Sequence, residues 1–424
     1  MRLSGPGAGA ALARLAGSVP PARRAARRRF ADPRTGEIID DGLALFFPGP
    51  KSFTGEDVAE LQLHGSRAVI AALLEALANL PGLRLAEPGE FTRRAFEHGK
   101  LDLTAAEGLA DLVGAETAAQ RRQALRQLEG ALGRLYEDWR NRLLRALAHL
   151  EAAIDFPEEG LPDGLSAEVR ESAAALRGEI ARHLADGHRG ERMRDGVAVA
   201  IIGPPNAGKS SLMNALARRD VAITSAVAGT TRDVIEVALD LGGYPIVLAD
   251  TAGLRESCDS IEEEGVRRAR ARAAAADLRL LVLDATKPAP ALPRGLAERD
   301  TIIILNKVDL GVGDSGEGAD RLGSGPALRL SVRTGMGMSE LLARLQQEVT
   351  ARFAPGDAAV LTRARHRAAL EACATALDRF AEQPAPELAA EDLRLAAQAL
   401  GRITGRVDVE DMLDIIFREF CIGK

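Results

Sequence analysis

Aromatic residues make up only 3% of this 424-residue chain, so its cores must be built from Ala, Leu, Ile and Val. Cysteine is nearly absent. Cys258, Cys373 and Cys421 give no disulfide framework and suit a reducing compartment. No run approaches the roughly 18 consecutive apolar residues that a membrane-spanning helix needs, so no membrane attachment is expected. An excess of positive charge is also missing: the net charge is −6 and the pI about 5.7, which excludes holding nucleic acid by bulk charge. Lysine is scarce as well. Of 55 basic residues only Lys51, Lys100, Lys209, Lys287, Lys307 and Lys424 are lysine, so those that remain are expected where a compact ammonium is required. What is present is a hydrophobic fraction of 46%, enough for real cores, and length for about three domains at roughly 150 residues each. The expectation is a cytoplasmic, multidomain protein.

Along the chain the texture changes twice. Residues 1–103 mix Gly/Pro turns with short apolar runs; Leu43 to Phe47 reads as a strand, Val69 to Leu77 as a helix, and Pro81-Gly82 and Pro88-Gly89 as turns. Residues 2 to 34 hold eight arginines and one acid, Asp32, a composition compatible with a transit peptide. From Thr104 to Arg194 the pattern is helical, as in Leu125, Leu128, Leu132 and Leu135, and Pro157 is expected to interrupt it. Helical texture returns from Thr362 to Ile416. Between these stretches, apolar runs at Val197–Ile202, Pro245–Leu248, Leu278–Leu283 and Thr301–Leu305 read as buried parallel strands, with a helical pattern at Ile261–Ala276. The Gly-rich stretch Gly311 to Gly325 reads as a surface loop. The fold class is therefore α/β, with an α/β domain inserted into a helical one.

Gly203-Pro204-Pro205-Asn206-Ala207-Gly208-Lys209-Ser210 matches the P-loop pattern, directly after one of these strands. Its glycines let backbone N–H groups close around phosphates at a helix N-terminus. Lys209 would reach the β- and γ-phosphates, and the Ser210 hydroxyl would ligate Mg²⁺. Asp250-Thr251-Ala252-Gly253 ends a strand, where the Asp can hold Mg²⁺ through water and the Gly can turn towards the γ-phosphate. Asn306-Lys307-Val308-Asp309 ends another. The two carboxylate oxygens of Asp309 can accept the ring N–H and exocyclic amine of guanine, an edge that adenine lacks. Ser331-Val332-Arg333 reads as the loop completing the base pocket. Thr231, in Gly229-Thr230-Thr231-Arg232-Asp233, is the natural second hydroxyl ligand for Mg²⁺. Four elements in this order, each at a strand end, indicate a GTPase.

Two residues narrow the class. Leu254 stands where Ras-like enzymes carry the Gln that orients the attacking water, and an apolar side chain cannot do that work. Asn206, inside the P-loop, offers an amide oxygen that could ligate a monovalent cation placed where an arginine finger would neutralise developing charge. A carboxylate from the following segment would then orient water; Glu256, Asp259, Glu262, Glu263 and Glu264 are the candidates.

Taken with Phe47-Pro48-Gly49-Pro50, Ser52-Phe53-Thr54-Gly55-Glu56-Asp57, Pro88-Gly89-Glu90-Phe91, Lys100-Leu101-Asp102-Leu103, Ala153-Ile154-Asp155-Phe156-Pro157 and the closing Phe420-Cys421-Ile422-Gly423-Lys424, these motifs resemble the MnmE (TrmE) family of tRNA modification GTPases almost end to end. The resemblance implies a tetrahydrofolate-binding-like α/β domain over residues 1–103, a helical domain in two parts (104–194 and 355–424) and an inserted GTPase domain over 195–354. It implies a homodimer through the N-terminal domains and a heterotetramer with an MnmG-type flavoprotein. That complex would place an aminomethyl or carboxymethylaminomethyl group on C5 of a tRNA wobble uridine. The implied one-carbon cofactor is 5-formyl- or 5,10-methylene-tetrahydrofolate, at Arg2, Glu60, Lys100 and Lys424. The GTP set implied is Asn206, Ala207, Gly208, Lys209, Ser210, Ser211, Ser225, Ala226, Val227, Ala228, Gly229, Thr230, Thr231, Asp250 to Gly253, Asn306 to Asp309, and Ser331 to Arg333. K⁺ would be held by the Asn206 side chain and by carbonyls of Ser225, Val227 and Thr230. Glu262 falls at the family's water-positioning carboxylate. Asn206, Lys209, Glu262 and Cys421 are the implied catalytic residues.

By comparison with the family pattern the chain is expected to begin about twenty residues inside its first domain, and Arg2 to Gly5 already match the domain interior, so the transit-peptide reading loses. Cys421 has two other readings, a prenylated Cys-a-a-X, which Gly423 and Lys424 fit poorly, and a buried structural thiol. The alternative function is a ribosome-assembly or regulatory switch, which would carry a compact α/β RNA-binding module after the GTPase domain. A scaffold with a merely structural nucleotide is disfavoured by the full Mg²⁺ and P-loop set.

Overall fold

The computed structural model describes residues 1–155, 165–186, 188–219, 221–223, 236–250, 276–288, 300–311, 326–353, 360–407, 413, 416–417 and 420. The chain forms two compact units: Met1–Ala110 with Arg126–Arg177 and Ala369–Lys424, and Asp111–Leu125 with Gly178–Ala368.

In the first unit, strands β1 (Arg2–Ser4), β2 (Ala26–Ala31), β3 (Ile38–Phe47) and β4 (Val58–Gln62) form an antiparallel sheet in the order β1-β4-β3-β2. Helices α1 (Ala8–Ala16) and α2 (Arg67–Ala78) supply its core. Ala8, Ala11, Leu12 and Leu15 recur at one-face helical spacing and bury against Leu3, Phe30, Leu61, Leu73 and Leu77. The strand expected at Leu43–Phe47 lies within β3, and the helix expected at Val69–Leu77 lies within α2. The arginine-rich run is an edge strand, with Arg27 and Arg29 exposed and Phe30 buried.

Helices α3 (Glu90–Glu97), α4 (Leu103–Gly114), α5 (Ala118–Leu128), α6 (Ala131–Asp155) and α7 (Leu165–Leu184) follow. Asp102 explains the start of α4: its carboxylate accepts from the Ala105 N–H at 2.8 Å and the Thr104 hydroxyl at 2.7 Å, a side-chain cap on otherwise unpaired donors. A Cβ at Gly133 would collide with this carboxylate.

In the second unit, α8 (Arg189–Asp195) leads into β5 (Val197–Ile202), α9 (Lys209–Ala217), β6 (Glu236–Leu241), β7 (Tyr244–Asp250), β8 (Leu278–Asp284), β9 (Thr301–Asn306) and β10 (Leu328–Arg329). Their order is β10-β9-β8-β5-β7-β6, parallel except for the β6–β7 pair. The four expected strands coincide with β5, β7, β8 and β9. Every residue of β9 is buried, as a parallel strand covered on both faces requires. After the sheet come α10 (Met338–Phe353), α11 (Ala364–Glu382) and α12 (Pro386–Thr404), and α12 packs along α6. The fold is α/β: in chain order a small N-terminal α/β part is followed by helices, a P-loop sheet and further helices. Of the helical pattern at Ile261–Ala276, residues 261–275 lie outside the described residues, as do 312–325 of the Gly-rich stretch. Among the described residues no helix is long and apolar enough to cross a membrane.

Candidate functional site

The P-loop joins β5 to α9, so its backbone N–H groups gather at a helix N-terminus, where anions are favoured. Two of its glycines are sterically required. Gly203 has φ +144° and a Cβ there would collide with the Val282 carbonyl; Gly208 has φ +101° and a Cβ would run into the Asn306 side-chain amide. Asn206 itself adopts the left-handed region at φ +60° with its side chain exposed. Lys209 donates to the Pro204 carbonyl at 2.9 Å, folding its ammonium back across the loop.

Asn306, only 3% exposed, ties three motifs together. Its Nδ2 donates to the Ala207 carbonyl at 2.8 Å, and its Oδ1 accepts from the Val332 N–H at 3.2 Å. The next residue, Lys307, has φ +68° and donates from Nζ to the Asn206 carbonyl and to the Asp284 carboxylate, each at 2.7 Å. Asp309 accepts from the Arg333 guanidinium, at 3.0 Å from Nε. The Ser331 hydroxyl and then Arg333 hold its carboxyl below the usual range, so it is an ionised acceptor at neutral pH. Asn206, Ala207, Gly208, Lys209, Asn306, Lys307, Asp309, Ser331, Val332 and Arg333 thus lie in one contiguous site. Ser210 and Ser211 fall in the first turn of α9 and Val308 in the short 3-10 turn after Lys307. Asp250 closes β7. Ser225, Ala226, Val227, Ala228, Gly229, Thr230, Thr231, Thr251, Ala252, Gly253 and Glu262 lie outside the described residues.

The packing of Gly208 on Asn306 gives a direct expectation. Gly208→Ala needs both an unfavourable φ and displacement of Asn306, which costs about 1–3 kcal/mol from backbone strain alone. A lower denaturation midpoint for the nucleotide-free chain, with weakened GDP binding by fluorescence titration, is the expected result.

A second convergence occurs in the N-terminal part. Arg2 faces Glu60 directly across β1–β4 and pairs with it at 2.9 Å, while its guanidinium lies 5.5 Å from the Phe53 ring centre and 5.8 Å from that of Phe91. Ser4 donates to Glu56 at 3.0 Å, Arg94 bridges Glu56 and Glu90, and Arg84 pairs with Glu90 at 2.7 Å. Burial pushes the Glu90 carboxyl up, but hydrogen bonds from Arg84, the Glu87 N–H and Arg94 outweigh it and bring the pKa to about 2. Lys100 donates to the Pro50 carbonyl at 2.9 Å. The motifs around residues 50–57 and 88–91 therefore meet at Arg2. Phe417 reaches the same place: a Cβ at Gly89 would collide with its carbonyl, and Leu413, Ile416, Phe417 and Phe420 bury with Leu103 and Ala106 beside Phe96. Cys421 and Lys424 lie outside the described residues.

Asp284 and Arg94 belong to none of the sequence motifs, and Glu56, although inside the Ser52–Asp57 motif, acquires its partners Ser4 and Arg94 only through the fold. The acidic residue closing an apolar strand was the available signal for Asp284; nothing local marks Arg94. The compact α/β module expected of a ribosome-assembly switch does not follow the sheet among the described residues, where 338–353, 364–382 and 386–404 are helical.

Comparison with known proteins gives a consistent result. Residues 103–421 match the MnmE helical domain, and residues 1–100 match the GTP-binding protein TrmE N-terminus. A tRNA modification GTPase MnmE from Parvibaculum lavamentivorans is 59% identical over 430 residues, covering 100% of this chain and 96% of the relative. Its counterparts from Paramagnetospirillum magneticum and Rhodospirillum rubrum are 58% and 56% identical, with the same coverage.

Proposed function

The chain belongs to the MnmE family of tRNA modification GTPases, and from that premise we propose that its GTP hydrolysis gates the transfer of an aminomethyl or carboxymethylaminomethyl group to C5 of the wobble uridine. An MnmG-type flavoprotein would share the chemistry in a heterotetramer, with this chain dimerising through residues 1–103. The helical domain would comprise 104–194 and 355–424, and the GTPase domain 195–354.

In the nucleotide site, Lys209 and the P-loop N–H groups bind the phosphates, and Asp309 with the Ser331–Arg333 loop selects guanine. Ser210 and Thr231 are the hydroxyls that would hold Mg²⁺. Asn206, with carbonyls of Ser225, Val227 and Thr230, would hold K⁺; the exposed Asn206 amide is a hard oxygen donor of the kind a monovalent cation takes. A cation held there would supply positive charge beside the phosphates. Leu254 cannot orient the attacking water, and Glu262, which falls at the family's water-positioning carboxylate, would do so.

Arg2, Glu60, Lys100 and Lys424 would hold the one-carbon tetrahydrofolate, and Phe53 and Phe91 offer apolar faces beside Arg2. The observation that supports this reading is the position of Phe417 against Gly89, which brings Phe417, a few residues before Cys421 in sequence, to the N-terminal motifs. If the tail lines the cofactor pocket, Cys421→Ser or removal of Cys421–Lys424 leaves intrinsic GTP hydrolysis near wild type and abolishes wobble-uridine modification. A structural thiol would instead lower the melting temperature and both activities together. Measuring all three on one preparation separates these outcomes, and normal modification without the tail would refute its role.

A further inference from the structure

Asp284 ends β8 directly opposite Asn306 in the parallel register with β9, and it is only 8% exposed. Its Oδ1 accepts from the Thr286 N–H at 3.1 Å and from the Thr286 hydroxyl at 2.7 Å, which fixes the carboxylate plane. Its Oδ2 accepts from Lys307 Nζ at 2.7 Å, and the same ammonium donates to the Asn206 carbonyl. Burial raises the carboxyl, yet the bonds from Lys307 and Thr286 overcome that and bring its pKa to about 2, so it is a full counter-ion at neutral pH. Lys307, which carries the ammonium, sits at φ +68°, a left-handed backbone that a lysine adopts at a cost, and Asn206, which accepts it, sits at φ +60° in the same region. Such conformations persist where surrounding contacts over-determine them, and here the shared contact is the ammonium held by Asp284.

We propose that Asp284 is a positioning residue for base and cation alike: its carboxylate anchors the Lys307 ammonium, which clamps the Asn206 backbone and so aims the Asn206 amide. The cation half rests on Asn206 being the K⁺ ligand; the base half rests only on Asn306–Asp309 forming the guanine pocket. Carboxylates that hold a ligand-bearing residue in place are worth about 10–100-fold in metal affinity when removed. A charged hydrogen bond lost beside the base is worth at least about tenfold in affinity.

The test uses the whole chain carrying Asp284→Asn, with Thr286→Val as a milder variant that removes one of the bonds fixing the carboxylate and leaves the Thr286 N–H and Lys307 bonds. Binding of N-methylanthraniloyl-GDP in Na⁺ buffer reads the base half without any turnover. The K⁺ concentration for half-maximal GTPase stimulation reads the cation half. Weaker nucleotide binding by about tenfold and a half-saturation raised by about 10–100-fold are expected in Asp284→Asn, with smaller shifts in the same direction in Thr286→Val. Both values within twofold of wild type in a folded variant would overturn the proposal, as would a loss confined to melting temperature. Should Asp284→Asn fail to fold, Thr286→Val decides. Equal wild-type rates in K⁺ and Na⁺ would remove the cation ligand and the cation half with it, while the GDP measurement still decides the base half.

Discussion

Hydrolysis of GTP is expected to run much faster in K⁺ than in Na⁺, and Asn206→Ala to abolish the difference. The reason is the charge that builds on the oxygens between the β- and γ-phosphates as the terminal bond breaks. In enzymes that supply an arginine finger at this point the gain is about 10³–10⁵ in rate, and a cation at Asn206 would take the same electrostatic role. The Asn206 backbone is already held at φ +60° through the Lys307 bond, so little reorganisation is needed to present its amide. Water positioning is a separate requirement. Glu262→Ala is therefore expected to bind GTP normally and to lose most turnover, in K⁺ as in Na⁺. Steady-state rates in matched K⁺ and Na⁺ buffers decide the matter. Equal rates for the wild type would refute the cation model, and full turnover in Glu262→Ala would reassign the water to another acid of the 256–264 segment.

The second large effect concerns the base. Asp309→Asn is expected to lose GTP and gain xanthosine triphosphate, because the new amide N–H faces the xanthine carbonyl where guanine presents an amine. Removing a charged bidentate partner costs on the order of 2–5 kcal/mol. The structure sharpens this expectation: the carboxylate is ionised, and Ser331 and Arg333 already donate to it from the adjoining loop. An entering guanine must therefore share or replace the Arg333 contact. Titration with both nucleotides is the measurement, and unchanged GTP affinity in the variant would sink the assignment of the base pocket.

Much of this molecule was legible in advance because its chemistry sits in contiguous stretches. A P-loop needs glycines at fixed offsets and a lysine after them, and the buried parallel strands β5, β8 and β9 announce themselves as apolar runs, broken in β8 only by Arg279 before its closing Asp284. Other parts had no local signal. Strand β2 carries three consecutive arginines and buries only Phe30 deeply, so neither alternation nor apolar content marks it; pairing with β3 makes it a strand. Strand β6, by contrast, does carry a local signal, alternating Val237, Leu239 and Leu241 with Glu236 and Asp240.

The sequence by itself determined the guanine-nucleotide motifs, their order and the α/β class, since each rests on residue types a few positions apart. Only the tertiary structure decided which of those residues bear on one another. Asp284 and Lys307 are brought together by the β8–β9 register, Arg2 and Glu60 by β1–β4, and Phe417 meets Gly89 through an apolar cluster built from distant helices. Strand register and the packing of apolar faces are set by the whole chain at once, and no spacing within a motif records them.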